Sequence, residues 1–224
     1  MILVNNKWDL TLSINLEKPL NIIFDNINEM FNFKKNLIEQ LEDGEGILSI
    51  IDNEIPLKFK TQVEFISNIM DVSINTKKAI TFLYKKLESE IAVSNSIVEF
   101  EELREKLTNW LENLRKETLI DFSYEKDFEI SDFFKIFDLR YTERNNDLFD
   151  SFIKYINLVI ETTKIKVIIV SFLGYIFNQD QITEFFEICK ENNIYLILIE
   201  KEGHYFTNCC EKVKIIDGMA LKLQ

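Results

Sequence analysis

The chain has 224 residues, enough for one sizeable core and a smaller appended part. It is 46% apolar and 29% charged with a net charge of −12. That balance fits a globular protein and weighs against nonspecific attraction to nucleic acid or membrane, though not against a segregated basic face. The longest apolar run, Val167 to Phe177, is eleven residues, too short to span a bilayer. The start, Met1-Ile2-Leu3-Val4-Asn5, has no basic n-region, so the chain reads as cytosolic. Cys189, Cys209 and Cys210 make no disulfide framework and read as reduced thiols.

In chain order, Trp8, Leu10, Leu12 and Ile14 alternate with polar residues, which predicts a half-buried strand over 7–14. Leu20 to Phe24 reads as a second strand. Phe31 to Leu41 reads as an amphipathic helix ended by Asp43-Gly44-Glu45-Gly46. Ile47 to Ile51 and Ile55 to Phe59 suggest a strand pair, and Thr61-Gln62-Val63-Glu64 has the spacing of a capping box that would open a short helix. From Asn75 to Thr118 the pattern is helical with one break at Ser94-Asn95, after which Ser96-Ile97-Val98-Glu99 has capping-box spacing. Ile80, Leu83, Tyr84, Leu87 and Ile91 make one apolar stripe. Phe100, Leu103, Leu107, Trp110, Leu111 and Leu114 make the next. Two helices with a tight break read as an antiparallel hairpin with arms of about 25–30 Å. An acidic stretch follows over 117–132, and Asp147 to Glu161 is again helical.

The C-terminal third carries the clearest pattern. Val167-Ile168-Ile169-Val170 to Phe172, a helix over Gln179–Asn192 and the run Ile194 to Ile199 read as strand, helix, strand. Continuous apolar strands covered by a helix indicate a parallel sheet buried on both faces, which places ligands at the strand carboxyl ends. Val213–Ile216 and Met219–Leu223, joined at Asp217-Gly218, read as a hairpin. The expected fold class is therefore α/β with a mainly parallel sheet. One domain is discontinuous, 1–70 with 147–224, and a helical domain with an acidic hinge is inserted at 71–146.

The chemistry at the strand ends is sparse. The pattern G-x-x-x-x-G-K-[ST] is absent, and Gly44-Glu45-Gly46 carries acids that repel phosphate, which weighs against an ATPase. The single histidine, His204, is either a loop residue or a group held over a ligand at the strand end, and His204 with Cys209 and Cys210 matches no common zinc spacing. Lys77, Lys78, Lys85 and Lys86 fall on the arc opposite the first apolar stripe. They form either a solvated face, which Glu88 on the same side supports, or a phosphate-contacting stripe that tracks a duplex without reading bases. Glu117, Asp121, Glu125, Asp127, Glu129 and Asp132 do not fit an EF-hand frame. They are either a solvated loop or oxygen ligands for a hard cation.

The order of features resembles the Csn-two family, ring-forming accessory proteins of type II-A CRISPR adaptation, over nearly the whole chain. Three segments carry the resemblance: Lys86-Leu87-Glu88-Ser89-Glu90, Ile120-Asp121-Phe122-Ser123-Tyr124-Glu125, and Asn193-Ile194-Tyr195-Leu196-Ile197-Leu198-Ile199-Glu200. It implies an α/β head related to P-loop and RecA-like folds without a working phosphate loop. It also implies a helical leg and a homotetrameric ring whose basic channel encircles double-stranded DNA, entered from free ends. The resemblance implies no enzymatic activity, action with the spacer integrase and the effector nuclease during spacer capture, and Ca²⁺ near the hinge. Glu117, Asp121, Glu125 and Asp127 become the calcium candidates, and Ser123 stands where family members tend to place an acid. A degenerate NTPase using the crevice near Gly174 and His204, or a scaffold binding partner helices through the hairpin, are the alternatives.

Overall fold

The computed structural model describes residues 1–5, 10–46, 48–142, 147–201, 210–216 and 218–223. The described chain divides into two compact units, residues 1–73 with 145–224 and residues 74–144.

The first unit is built on a six-stranded sheet. Its strands are β3 (Leu20–Phe24), β6 (Val63–Ile66), β7 (Val167–Ser171), β8 (Tyr195–Lys201), β9 (Glu211–Ile216) and β10 (Met219–Leu223), in the order β10-β9-β3-β8-β7-β6. Five strands run parallel, and β10 is an antiparallel edge on β9. The expected mainly parallel α/β sheet is present. A smaller antiparallel sheet orders β2 (Leu10–Ser13), β1 (Ile2–Asn5), β4 (Leu48–Asp52) and β5 (Ile55–Pro56).

Strand alternation sorts the core into two layers. Ile22, Val167, Ile169, Ile197, Ile199 and Val213 face the smaller sheet and α1 (Ile27–Asp43), where Leu3, Met30, Phe33, Leu37 and Ile50 meet them. Ile168, Val170, Leu196 and Leu198 face the other way, toward α6 (Leu148–Thr162), α7 (Leu173–Ile176) and α8 (Gln179–Glu191). A sheet covered on both sides needs apolar residues at every strand position, hence the continuous runs in β7 and β8. Local signals fix the helix ends. Asn26 accepts from the Asn28 N–H at 2.8 Å to start α1, and Gly44 ends it at φ 89°, a left-handed conformation that glycine adopts without cost. Asn178 and Gln181 form a reciprocal capping box on α8.

Several local expectations change. The capping-box spacing at Thr61 opens no helix. The helix there is the single turn α2 (Phe59–Gln62), and Val63–Ile66 is a strand whose residues pair in parallel with Val167–Val170. Burial of Val63 and Ile66 beside β7 outweighs a local capping pattern. The expected strand through Phe59 stops at Pro56, which has no N–H for a ladder. β1 and the short α7 lie outside the sequence expectations, and of the strand expected over 7–14 the structure describes Leu10–Ser13. Trp8, His204, Cys209 and Asp217 lie outside the described residues.

The second unit holds α3 (Lys77–Ala92), α4 (Ser96–Glu117) and α5 (Ile130–Ile136). Thr76 caps α3 by accepting the Ala79 N–H at 3.2 Å. The capping box expected at Ser96 does not form, because Ser96 is itself the first helical residue and its N–H donates to the Ser94 hydroxyl at 3.2 Å. The first apolar stripe is half buried and the second is less so, with Leu103 and Trp110 exposed, and α5 joins them through aromatic contacts. Tyr84 of α3 lies 5.4 Å from Phe134, and Phe100 of α4 lies 5.6 Å from Phe133. The acidic stretch expected over 117–132 gives way to α5 because Ile130, Phe133 and Phe134 have helical spacing: Phe134 is buried beside Tyr84 of α3 and half-buried Phe133 meets Phe100 of α4, while Phe137 stays exposed. Glu129 and Asp132 form a capping box at its start.

Candidate functional site

The four lysines singled out in the sequence stand on one helix and one arc. Lys77, Lys78, Lys85 and Lys86 are all exposed; Lys78 and Lys86 stand away from half-buried Ile80, Leu83, Tyr84, Leu87 and Ile91, while Lys77 and Lys85 flank that stripe. None of the four has a carboxylate partner among the described residues. Packing dictates this arrangement: a helix that buries one stripe must present the remaining arc to water, and here that arc carries four unpaired positive charges.

The acidic segment after α4 runs back alongside that helix. Asp121 pairs with Arg115 at 3.4 Å, Lys126 with Glu112 at 2.7 Å, and Phe128 meets the Phe100 ring at 6.1 Å. The hydrogen bond from Lys126 holds the Glu112 carboxyl below its ordinary range, and Glu112 in turn raises the Lys126 amine. The Lys126 ammonium also lies 5.7 Å from the centre of the Tyr124 ring. Glu117, Asp121, Glu125 and Asp127 are all exposed. Among the described residues no three acidic, cysteine or histidine side chains gather as metal ligands. The four calcium candidates stand apart along the segment, and a Ca²⁺ ion would have to draw their carboxylates together to reach its six to eight oxygens.

Lys135 and Arg140 were not singled out from the sequence, yet they stand beside Lys77 and Lys85 along one groove. The sequence signal that could have found them is the apolar spacing of α5, which fixes the face on which Lys135 must emerge.

At the carboxyl edge of the parallel sheet the structure departs from a nucleotide site. Two residues, Asp25 and Asn26, join β3 to α1. Asp25 pairs with Lys214 at 3.2 Å, Asn26 caps the helix, and Glu29 sits in the first turn. A glycine-rich phosphate cradle needs more chain than two residues and no acid at its helix. Gly174 serves a structural end instead: its N–H donates to buried Glu200 at 3.1 Å. Burial pushes the Glu200 carboxyl up to about 7, against the lowering effect of the Gly174 and Leu173 N–H groups. Phe172 before it adopts φ 60°, and its ring lies 4.9 Å from the buried ammonium of Lys34.

The fold and site define a mixed α/β protein carrying a helical insertion, with an exposed lysine face and no phosphate loop among the described residues. The chain belongs to a CRISPR-associated family: the model for CRISPR-associated protein (Cas_Csn2) matches residues 41–219. Its role is therefore CRISPR-associated. No curated protein matches. Among solved structures, it is similar to an ABC transporter ATP-binding protein from Pyrococcus furiosus at 14% identity, covering 92% of this chain and 88% of that one, with a TM-score of 0.45. CbiO1 from Clostridium perfringens, part of the ABC transporter complex cbiONQ, is similar at 12% identity over 95% and 79%, with a TM-score of 0.48. The recombination mediator protein RecF of the RecFOR pathway is similar at 12% identity over 100% and 97%, with a TM-score of 0.41. No helix among the described residues is long and apolar enough to cross a membrane.

Proposed function

We infer that this chain is a non-enzymatic, sequence-independent binder of double-stranded DNA that acts in CRISPR spacer acquisition as a homotetrameric ring. The observation that carries the reading is the α3 face: four exposed lysines without carboxylate partners in a chain of net charge −12. In a chain so acidic, an exposed basic arc without carboxylate partners among the described residues is a surface suited to a polyanion. Lysines on a helix arc contact phosphates as point charges and carry no base-reading geometry, so binding is independent of sequence. A ring turns such arcs toward one channel while its outside stays acidic.

The two-residue junction between β3 and α1 supports a structural role for the α/β unit over nucleotide hydrolysis. The scaffold alternative draws on a different observation: Leu103 and Trp110 on α4 are 41% and 58% exposed. In the ring reading such surfaces meet other subunits, and the spacer integrase and effector nuclease are the partners in capture. Ca²⁺ enters the reading only as a ligand that would have to gather Glu117, Asp121, Glu125 and Asp127 from separate positions.

Competition between linear and covalently closed circular duplexes of equal length tests the ring. A threaded ring loads over the free ends of the linear form and is excluded from the closed circle, whereas equal affinity for both forms argues against threading. Solution mass with and without Ca²⁺ tests assembly, and a monomer under both conditions sinks the tetramer.

A further inference from the structure

A groove of about 640 Å³ lies between α3 and α5. Lys77 and Lys85 line it from α3, Lys135 from α5, and Arg140 from the segment after α5. Its floor is fixed by Tyr84, whose hydroxyl donates to the Phe134 carbonyl at 3.1 Å. One end is held by Asn75, which accepts from the Tyr141 N–H at 2.9 Å and donates to the Tyr141 carbonyl at 3.1 Å.

Three carboxylates also face the groove: Glu88, Glu129 and Asp138. Two of them are engaged. Glu129 caps the first turn of α5, and Asp138 pairs with Arg140 at 2.7 Å. Lys135 pairs with Asp132 at 2.9 Å. The Lys135 and Arg140 side chains are 63% and 59% exposed, and ion pairs that exposed are worth little, so a phosphate oxygen can replace the carboxylate at small cost.

We propose that this groove is a second phosphate-binding surface for duplex DNA, in which Lys135 and Arg140 take backbone phosphates alongside Lys77 and Lys85. The proposal rests on the DNA reading above. Lys77 and Lys85 belong both to the groove and to the α3 face, so the groove continues the same phosphate track onto a second element. Asp138 and Asp132 then act as place-holders that keep Arg140 and Lys135 extended until DNA displaces them. An acidic protein segment is the competing ligand class. Lys77 and Lys85 tie the groove to the other α3 lysines, and a row of cations continuing from that face, even with Glu88, Glu129 and Asp138 between them, favours the duplex, whose phosphates repeat at regular intervals.

The test is the salt dependence of affinity for a linear duplex, measured on the full chain by fluorescence anisotropy. Each phosphate contact contributes about 0.9 to the slope of log K against log salt. Lys135→Ala with Arg140→Ala should lower the slope by about 1.8, with equal loss on unrelated sequences. Asp138→Asn should tighten binding more than Glu105→Gln, an equal charge change on α4. Asp138 has φ 47°, which asparagine tolerates, and a gain in affinity cannot come from unfolding. If the paired alanines leave the slope unchanged while substitution of the four α3 lysines lowers it, the groove proposal is overturned and the DNA reading stands. If Asp138→Asn gains no more than Glu105→Gln, the groove is likewise excluded, and an acidic protein ligand becomes the alternative to pursue. If the unaltered protein shows no salt-dependent binding, both fall together.

Discussion

The α/β unit and the helical unit solve the problem of stability differently. The first buries large side chains completely: Phe24, Phe152, Phe185, Ile22 and Leu37 all have relative exposures of 0%. The second buries little: of its helical residues only Ala79 and Phe134 are buried, and α4 buries none. Its apolar stripes stop at half burial, while Val98, Leu103, Trp110 and Phe137 are exposed. The α/β unit therefore behaves as a self-sufficient core. The helical unit is a surface-rich element whose side chains are available for contacts, and a stability argument there rests on an aromatic cluster rather than on volume filled.

That contrast can be broken by mutation. The largest effect is expected in the α/β unit, where Phe185→Ala removes a ring at 0% exposure that packs 5.0 Å from Phe152. It should cost about 3–5 kcal/mol in urea denaturation. Leu107→Ala on α4, half buried, should cost about 1–2 kcal/mol, roughly in proportion to the area it hides. Equal costs at the two sites would erase the distinction.

Glu200 sharpens it through pH. Its folded pKa, raised to about 7, lies above the ordinary value of 4.5, so the folded state holds the proton longer than the unfolded chain. The contribution of this group to stability is present below pH 4.5 and is lost as pH rises to 7. Glu200→Gln should therefore flatten the stability profile between those values. At pH 8 it should exceed the unaltered protein by an amount on the order of 1–3 kcal/mol. An unchanged profile by thermal melts at pH 5, 6, 7 and 8 would show that Glu200 does not titrate in this window.

The smallest effect is expected at the surface of the helical unit. Glu112→Gln breaks the pair with Lys126, and both partners are substantially exposed. The melting temperature should barely move, since exposed pairs contribute little. A large loss would mean that the segment returning along α4 is held by that pair and not by Phe128.

The two regions also differ in how much of them could be read from sequence. The elements β7, α8 and β8 follow from continuous apolar runs and a helix between them, because burial on both faces leaves no polar position. The strand β6 does not, since its identity comes from pairing with β7 about a hundred residues later, and Thr61-Gln62-Val63-Glu64 locally mimics a helix start. The lysine arc is legible because a helix converts spacing into faces. The groove that adds Lys135 and Arg140 is not, because it arises only when α5 packs against α3, and the charges around 129–132 mask the aromatic spacing of α5. The acidic residues show the opposite case: their clustering in sequence does not become clustering in space, because the segment returns along α4 with Phe128 packed on Phe100, and the carboxylates stand apart along it.

The central claim is that the α3 lysines hold duplex DNA by its phosphates. The most direct measurement is the salt dependence of duplex affinity for the unaltered protein beside a variant with Lys77, Lys78, Lys85 and Lys86 all changed to glutamine. Four lost phosphate contacts predict a slope lower by about 3.6, with the fold unchanged by circular dichroism. A slope equal to that of the unaltered protein would contradict the account and leave the lysine arc as a solvated face.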